Sequence, residues 1–217
     1  MSKKSKQLVK AIWETNQIPE FSAVNDMLVL NPFTDDLLRC VLINIYQDRL
    51  YVNALYLPLY VPHNHFYLIF SKELNCFYEL SDATSYQLKD SDVPSILKLI
   101  KEKAVPYLTK ATDCKSFAKT GWKTRENKDV NDFSLFSMIC TFAKAGLLNK
   151  AYRHIHYLKF HRWWYRTAND ELKEPIERLK TALKNPSQLN ALWQEWSALT
   201  IKELKLSGVE KLREGNL

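Results

Sequence analysis

Residues 39–46 read RCVLINIY and residues 50–61 read LYVNALYLPLYV, two neighbouring runs that are dense in valine, isoleucine, leucine and tyrosine. Branched and aromatic side chains of this kind fit the pleated, half-buried surface of a β-strand. The polar triplet Gln47-Asp48-Arg49 between the two runs predicts a hairpin loop. Because a short hairpin loop makes its strands antiparallel, this stretch predicts the centre of an antiparallel sheet.

Shorter apolar runs follow at residues 66–70 and 76–80, after the turn Pro62-His63-Asn64-His65. Runs this close together leave no room for a helical crossover, so the sheet should be antiparallel, with four or five strands. Upstream, residues 3–16 carry apolar side chains at helical spacing and predict a short amphipathic helix. The fold class that follows is α+β, an antiparallel four- to five-stranded sheet with flanking helices.

The segment after the sheet predicts helices. Val93-Pro94 follows two polar residues, and proline is favoured in the first turn of a helix, where its missing N–H costs nothing. The apolar residues from Ile96 to Leu108 run at helical spacing, and Pro106 should kink or split this helix. A second short helix should begin after Thr112 as its cap and end at Gly121.

Residues 122–132 are polar and lack periodicity, which predicts a connector between an α+β sheet domain at 1–121 and a helical part at 133–217. The helical part divides into four stretches at glycine, asparagine and proline stops. We expect them to form a C-terminal bundle of helical hairpins packed on the sheet domain. The predicted helices span 133–145, 147–165, 170–183 and 188–206.

Composition excludes several classes of protein. The chain has four glycines in 217 residues, all far apart, so no glycine-rich phosphate loop and no G-x-S-x-G nucleophile elbow can form. The four cysteines are equally dispersed, and no pair has the spacing of a zinc or redox motif. We therefore expect reduced thiols, no metal and no cofactor. With no secretory signal and no apolar run that spans a bilayer, we expect a cytoplasmic protein without membrane association.

Charge is unevenly distributed along the chain, whose net charge is +7. Residues 1–97 carry 8 Lys and Arg against 11 Asp and Glu, whereas residues 98–217 carry 23 against 13. Residues 133–169 contain no acid at all. Such asymmetry favours a polyanionic partner, although a basic helical surface that is simply solvated has the same composition.

The most unusual segment is KFHRWWYR at residues 159–166, which interleaves aromatic side chains with cations. Aromatic faces can stack on bases while cations follow the phosphates. Alternatively, the tryptophans pack against neighbouring helices, with Trp193 and Trp196 as natural partners, and the cations point outward. The candidate residues for binding a protein partner or nucleic acid are therefore Lys159, Arg162, Trp163, Trp164 and Arg166.

Histidines and carboxylates predict no catalytic or metal site. His63 and His65 could share one face of an extended segment, but two imidazoles are only half a metal site. His154 and His161 share a helix face while His156 lies on another, so these three do not chelate one ion. A triad of Ser, His and Asp is recognised only in space, and the sequence assigns none. We therefore name no catalytic residue.

One helical hairpin has the chemistry of a known repeat. Small and apolar residues around a glycine turn resemble the centre of a tetratricopeptide hairpin, in which two helices approach closely. The match covers about 25 residues and does not recur 34 residues later, as a repeat array requires. It therefore indicates hairpin packing in place of a solenoid. The matching residues are Phe142, Ala143, Gly146, Leu148, Ala151 and Ile155.

The order of elements, with an Ile-x-x-x-Ala-x-Pro-x-Leu helix at Ile100, Ala104, Pro106 and Leu108, resembles bacterial proteins grouped with polymorphic-toxin immunity proteins. The resemblance implies a protein that neutralises a partner by binding it and has no chemistry of its own. We accordingly predict a non-enzymatic, immunity-like cytoplasmic protein that binds a protein partner stoichiometrically. The alternatives are a nucleic-acid-associated protein that uses the basic C-terminal half, and a hydrolase of an unrecognised kind.

Overall fold

The computed structural model describes residues 3–34, 36–62, 70–78, 86–124, 132–161, 170–206, 208–209 and 212. The first half contains α1 (Lys3–Glu14), β1 (Phe21–Val24), β2 (Met27–Leu30), β3 (Leu37–Tyr46), β4 (Arg49–Pro58) and β5 (Ser71–Tyr78). It continues with α2 (Asp92–Leu99), a π-helical segment (Ile100–Ala104), α3 (Val105–Leu108) and α4 (Cys114–Thr124). The second half contains α5 (Asp132–Lys144), α6 (Leu148–His161), α7 (Asp170–Ala182) and α8 (Pro186–Glu203).

The described strands form one five-stranded antiparallel sheet in the order β1-β2-β3-β4-β5, which confirms the predicted α+β class with flanking helices. At its centre the long strands β3 and β4 pair in continuous register from Leu37 opposite Pro58 to Tyr46 opposite Arg49. Gln47 takes a positive φ of 54° in the turn between them. The predicted hairpin is therefore confirmed at the position that the sequence indicated.

Both faces of the sheet are buried. Alternate side chains of β3 point to opposite faces, and the buried ones are apolar on both faces except for Arg39. Leu37, Val41 and Ile43 belong to the main core, on the face covered by the helices. Leu38 and Cys40 belong to a second core on the opposite face. That second face is covered by residues from the end of α8 and the segment after it, namely Ile201, Leu204, Leu206 and Val209.

Hydrogen bonds from buried tyrosines tie the helices to the sheet. The hydroxyl of Tyr56 on β4 donates to the Tyr107 carbonyl on α3 at 2.6 Å. Just beyond β4, the Tyr60 hydroxyl shares a 3.0 Å hydrogen bond with the Thr141 hydroxyl on α5. Because each tyrosine buries a large ring and also satisfies its polar tip, these contacts fix where α3 and α5 lie on the sheet.

Pro106 changes the helix that contains it. Proline has no N–H to donate to the preceding turn, and the α-helical pattern gives way to a π-helical segment just before it. The Val105 N–H reaches back to the Ile100 carbonyl, and α3 then begins. The predicted interruption at Pro106 thus occurs as a widened turn with the helical path maintained.

The junction between α4 and α5 differs from the expectation at two residues. Asp113, in place of Thr112, caps α4, since its carboxylate accepts from the Ser116 N–H at 2.7 Å. Gly121 lies inside α4 and does not end it. A Cβ at this position would lie 3.1 Å from the Met138 sulfur, so glycine permits α4 and α5 to pack closely. Of the predicted connector 122–132, residues 125–131 lie outside the described part of the chain.

The C-terminal helices form the predicted hairpins. Asn185 caps α8 by accepting from the Ser187 N–H at 3.1 Å, with Pro186 in the first turn. Trp193 and Trp196 on α8 are buried and contact each other, with ring centroids 5.7 Å apart. Trp193 also meets the ring of Tyr60 at 6.0 Å. The predicted packing of these rings on Trp163 and Trp164 falls outside the described residues.

Candidate functional site

The structure places only part of the predicted binding segment. Lys159 belongs to α6, whose backbone is described as far as His161. The other four candidate residues, Arg162, Trp163, Trp164 and Arg166, lie outside the described residues. The candidate site is therefore built from the part of α6 that precedes them, together with the turn that leads into it.

The turn between α5 and α6 is set by one glycine. Gly146 has a φ of +78°, a left-handed conformation that favours glycine, and no atom within 4 Å would meet an added Cβ. The Gly146 N–H donates to the Ala143 carbonyl at 3.0 Å and the Leu147 N–H to the Phe142 carbonyl at 2.8 Å. These bonds satisfy the last carbonyls of α5 and allow α6 to begin at once.

Helix α6 carries apolar side chains on two sides. Ala151 and Ile155 are buried in the main core. Leu148 and Tyr152, four residues apart and so on one helix face, are 36% and 39% exposed, and the preceding Leu147 is 43% exposed. We call Leu147, Leu148 and Tyr152 the α6 patch. Of the seven exposed large hydrophobic side chains among the described residues, these three alone share a six-residue window.

Two cations lie close to the α6 patch along the helix. Lys150 and Arg153 are both exposed on α6, and neither forms an ion pair with any carboxylate of the described chain. The Lys150 ammonium lies 4.1 Å from the centroid of the Phe142 ring, a cation–π contact. Lys144 differs, because it pairs with Asp36 at 3.2 Å. The α6 surface thus retains uncompensated positive charge at Lys150 and Arg153.

Two histidine side chains of α6 are described, and both lie beside this surface. His154 stacks on Phe142 with ring centroids 5.4 Å apart, and His156 meets the ring of Tyr152 at 4.5 Å. Burial lowers the pKa of His154, and the charges of Lys150 and Arg153 lower it further. The imidazole of His154 is therefore neutral at pH 7, and it has the environment of a packed side chain.

Among the described residues, no group of three or more His, Cys, Asp or Glu side chains is arranged to hold a metal ion. Cys40, Cys76, Cys114 and Cys140 are all reduced thiols. Burial raises the pKa of the Cys40 and Cys140 thiols well above the usual range, which makes them poor nucleophiles. His63 and His65 lie outside the described residues.

The resemblance to a tetratricopeptide hairpin predicts that Leu148 packs between the two helices, together with Ala151 and Ile155. The structure buries the latter two and leaves Leu148 partly exposed. Exposure of Leu147 and Tyr152 was not predicted at all. The sequence did contain one indication of this exposure. Helix α6 carries two apolar stripes, whereas a helix that packs on a core with one face needs a single stripe.

No protein-family model matches this sequence, and no curated protein or solved structure is significantly similar to it. No helix in the described part of the chain combines the length and the apolarity needed to cross a bilayer.

Proposed function

We propose that the chain is a non-enzymatic interaction protein that binds one protein partner stoichiometrically, with the α6 patch at the centre of the contact. The observation that carries the proposal is the grouping of Leu147, Leu148 and Tyr152 as exposed apolar side chains beside Lys150 and Arg153. A partner that covers the patch removes apolar area from water, which is favourable in proportion to that area.

The patch has the composition of an interface centre. Fully buried interface cores are more apolar than the remaining surface, and tyrosine is enriched among the residues that contribute most to binding. A stable interface buries about 800 Å² on each partner, so three side chains supply its centre and the surrounding helix surface supplies its rim. Lys150 and Arg153 lie where that rim would be.

Charge defines the chemistry of the partner. Because residues 133–169 contain no acid, the rim cations attract a surface that carries carboxylates. Complementary charge speeds association and excludes partners of like charge. The partner is therefore an acidic protein that presents an apolar side chain within a ring of Asp and Glu. We further propose an immunity-like function in the bacterial cytoplasm, as the sequence resemblance implies, in which the chain neutralises this partner by occlusion.

The test uses the full chain as bait in a lysate of the cells that naturally produce it. We compare wild type with the double variant Leu148→Gln, Tyr152→Gln. A specific partner should elute with wild type at one copy per chain, and native mass spectrometry gives that ratio. The double variant should weaken the isolated complex at least about tenfold, because losing central interface contacts costs more than about 1.4 kcal/mol.

The matched control is Leu199→Gln, since Leu199 on α8 is 39% exposed and lies outside the patch. It should leave binding unchanged, and all variants should melt as wild type does. Binding that survives the double variant, or a partner surface without acidic residues, would refute the proposal.

Nucleic acid is the competing partner, favoured by the acid-free run of residues 133–169. In that case a fluorescent oligonucleotide would bind with a log–log salt slope of about −0.7 to −0.9 per phosphate neutralised. Replacing Lys159, Arg162 and Arg166 by alanine would flatten the slope by about two to three units. Tight binding with this salt dependence would show that the partner is a nucleic acid and would refute the proposed protein partner.

A further inference from the structure

Arg39 occupies a position on β3 where the alternation of the strand demands an apolar residue. Its neighbours on the same face, Leu37 and Val41, are fully buried in the main core. Arg39 itself is only 4% exposed. Arginine is almost never buried to this extent without a partner, so the reason for its presence should lie in what its guanidinium contacts.

The guanidinium has few protein contacts. Of its five N–H donors, Nη2 donates to the Pro32 carbonyl at 2.8 Å, and the described structure gives the others no protein acceptor. Nε is buried and has no hydrogen-bond partner. Neither does any described carboxylate form an ion pair with Arg39. A buried charge in this condition destabilises the fold and requires an explanation.

The polar groups nearest to Arg39 are engaged elsewhere. Tyr56, its register partner on β4, donates its hydroxyl hydrogen to the Tyr107 carbonyl and accepts from the Ala111 N–H at 3.3 Å. Asp113 accepts from the Ser116 N–H and hydroxyl as the cap of α4. Neither residue is hydrogen-bonded to Arg39. Burial lowers the pKa of the guanidinium, and Tyr56 and the charge of Asp113 act against that shift.

Arg39 lines a cleft of about 570 Å³ between the end of β2 and the connection from α3 to α4. One wall carries Asn31 and Thr34, and the other carries Thr109 and Thr112. The Thr34 hydroxyl bridges the two walls by donating to the Thr112 carbonyl at 2.7 Å. The volume is that of a site for a small metabolite.

The cleft holds both signs of charge. Glu20, which is exposed, and Asp113 also line it. Hydrogen bonds from the Ser116 and Lys115 backbone lower the pKa of Asp113, so this carboxylate is ionised at neutral pH. A phosphate with two negative charges would meet one guanidinium and two carboxylates, an unfavourable balance. A single carboxylate suits one guanidinium, and an ammonium on the same ligand suits the acids.

We propose that the Arg39 cleft binds a free amino acid, with the ligand carboxylate on Arg39 and the ligand ammonium toward Asp113 and Glu20. The guanidinium then gains an acceptor for N–H groups that have none among the described residues. The apolar side chains of Leu30 and Val105 line the same cleft and are available to the side chain of the ligand. The site shares no residue with the α6 patch.

The experiment screens the twenty free L-amino acids at millimolar concentration against the full chain by thermal shift, with isothermal titration calorimetry for those that raise Tm. At least one should bind and raise Tm. Its analogue that lacks the α-amino group should bind at least about tenfold more weakly, and inorganic phosphate should give no shift.

Three variants locate the site. Arg39→Met should abolish binding, and the variant should still fold, because the guanidinium makes a single hydrogen bond to the described protein. The double variant Asp113→Asn, Glu20→Gln should weaken the binding of the amino acid by about tenfold and leave the binding of its deaminated analogue unchanged. Asparagine still caps a helix, so α4 should keep its cap. Arg49→Met, which removes an exposed arginine on the same sheet, should bind as wild type does.

No shift with any amino acid would overturn the proposal, whatever the stability of the variants. Equal binding of the deaminated analogue or of phosphate would also overturn it, as would full binding by Arg39→Met.

Discussion

The hydroxyl of Tyr56 lies 2.6 Å from the carbonyl oxygen of Tyr107, and this contact joins the middle of the sheet to the last turn of α3. The rings of the two residues are also in contact, with centroids 5.3 Å apart. Burial raises the pKa of Tyr56 to about 12, so the hydroxyl is protonated and able to donate at neutral pH. One side chain thus supplies both packing and a buried hydrogen bond at the boundary between sheet and helices.

Replacing Tyr56 by phenylalanine should lower the free energy of unfolding by about 1 to 3 kcal/mol, because the Tyr107 carbonyl and the Ala111 N–H both lose a buried partner. Urea denaturation measures the change. The control is Tyr46→Phe, which removes a hydroxyl from a side chain that is 61% exposed and should change stability by less than about 0.5 kcal/mol. Equal effects of the two variants would contradict the assigned role of Tyr56.

His154 should make stability depend on pH. Its pKa is lowered in the folded state, so between that value and the ordinary value near 6.5 the unfolded chain binds more protons. Stability should therefore fall as pH decreases through this interval and level off below the folded pKa. Denaturation midpoints between pH 7.5 and 5 should decline less steeply for His154→Gln than for wild type.

The same histidine tests the charge on α6. Lys150→Gln removes a cation that lowers the pKa of His154, so the pKa measured by NMR titration should rise toward its ordinary value. The control is a neutral substitution at Lys10, which pairs with Glu14 on α1. It should leave the pKa of His154 unchanged. A His154 pKa at or above the ordinary value in wild type would show that the assigned environment is wrong.

Gly146→Ala should destabilise the chain by about 1 to 2 kcal/mol, since a Cβ disfavours the left-handed conformation there. The cause is conformational, because no atom lies within 4 Å of the added carbon. Gly146→Asn should therefore cost less than Gly146→Ala, as asparagine tolerates this conformation better. Thermal denaturation shows which of the two variants is less stable. A less stable Gly146→Asn would indicate that the larger side chain is sterically crowded at this position.

Leu206→Ala should lower the free energy of unfolding by about 2 to 5 kcal/mol, the range for truncating a buried leucine. Leu206 is fully buried on the second face of the sheet. Leu199→Ala, on the exposed side of α8, should cost under about 1 kcal/mol. Chemical denaturation distinguishes the two. If both variants lowered the free energy of unfolding by similarly small amounts, the second face of the sheet would not depend on the residues after α8 for its stability.

Local pattern was enough to predict the β3–β4 hairpin and most helices, since these elements are long and strongly periodic. It was not enough for β1 and β2, which have four residues each and are too short to show a period. The polar residues from Ser71, which lie between the predicted strands at 66–70 and 76–80, belong to β5, because an edge strand pairs through its backbone and tolerates polar side chains. The strand predicted at residues 66–70 lies outside the described part, apart from Phe70.

The candidate sites show a different limit. The acid-free run around α6 could be read directly from the sequence, whereas exposure of Leu148 and Tyr152 could not, because periodicity identifies apolar stripes without showing which one is covered. Arg39 was visible as a charged residue in an apolar strand. Only the tertiary structure shows that the Pro32 carbonyl is the one hydrogen-bond acceptor that the described residues offer its guanidinium.

The second face of the sheet is covered by residues that are synthesised long after the sheet itself. When β5 leaves the ribosome, Leu38, Cys40 and the other apolar side chains of that face have no cover, and they remain so until residues 201–209 emerge. An uncovered apolar sheet is prone to association during translation. Fusing a stalling sequence directly after α7 should therefore yield nascent chains that need chaperone protection, whereas release of the full chain should remove that need.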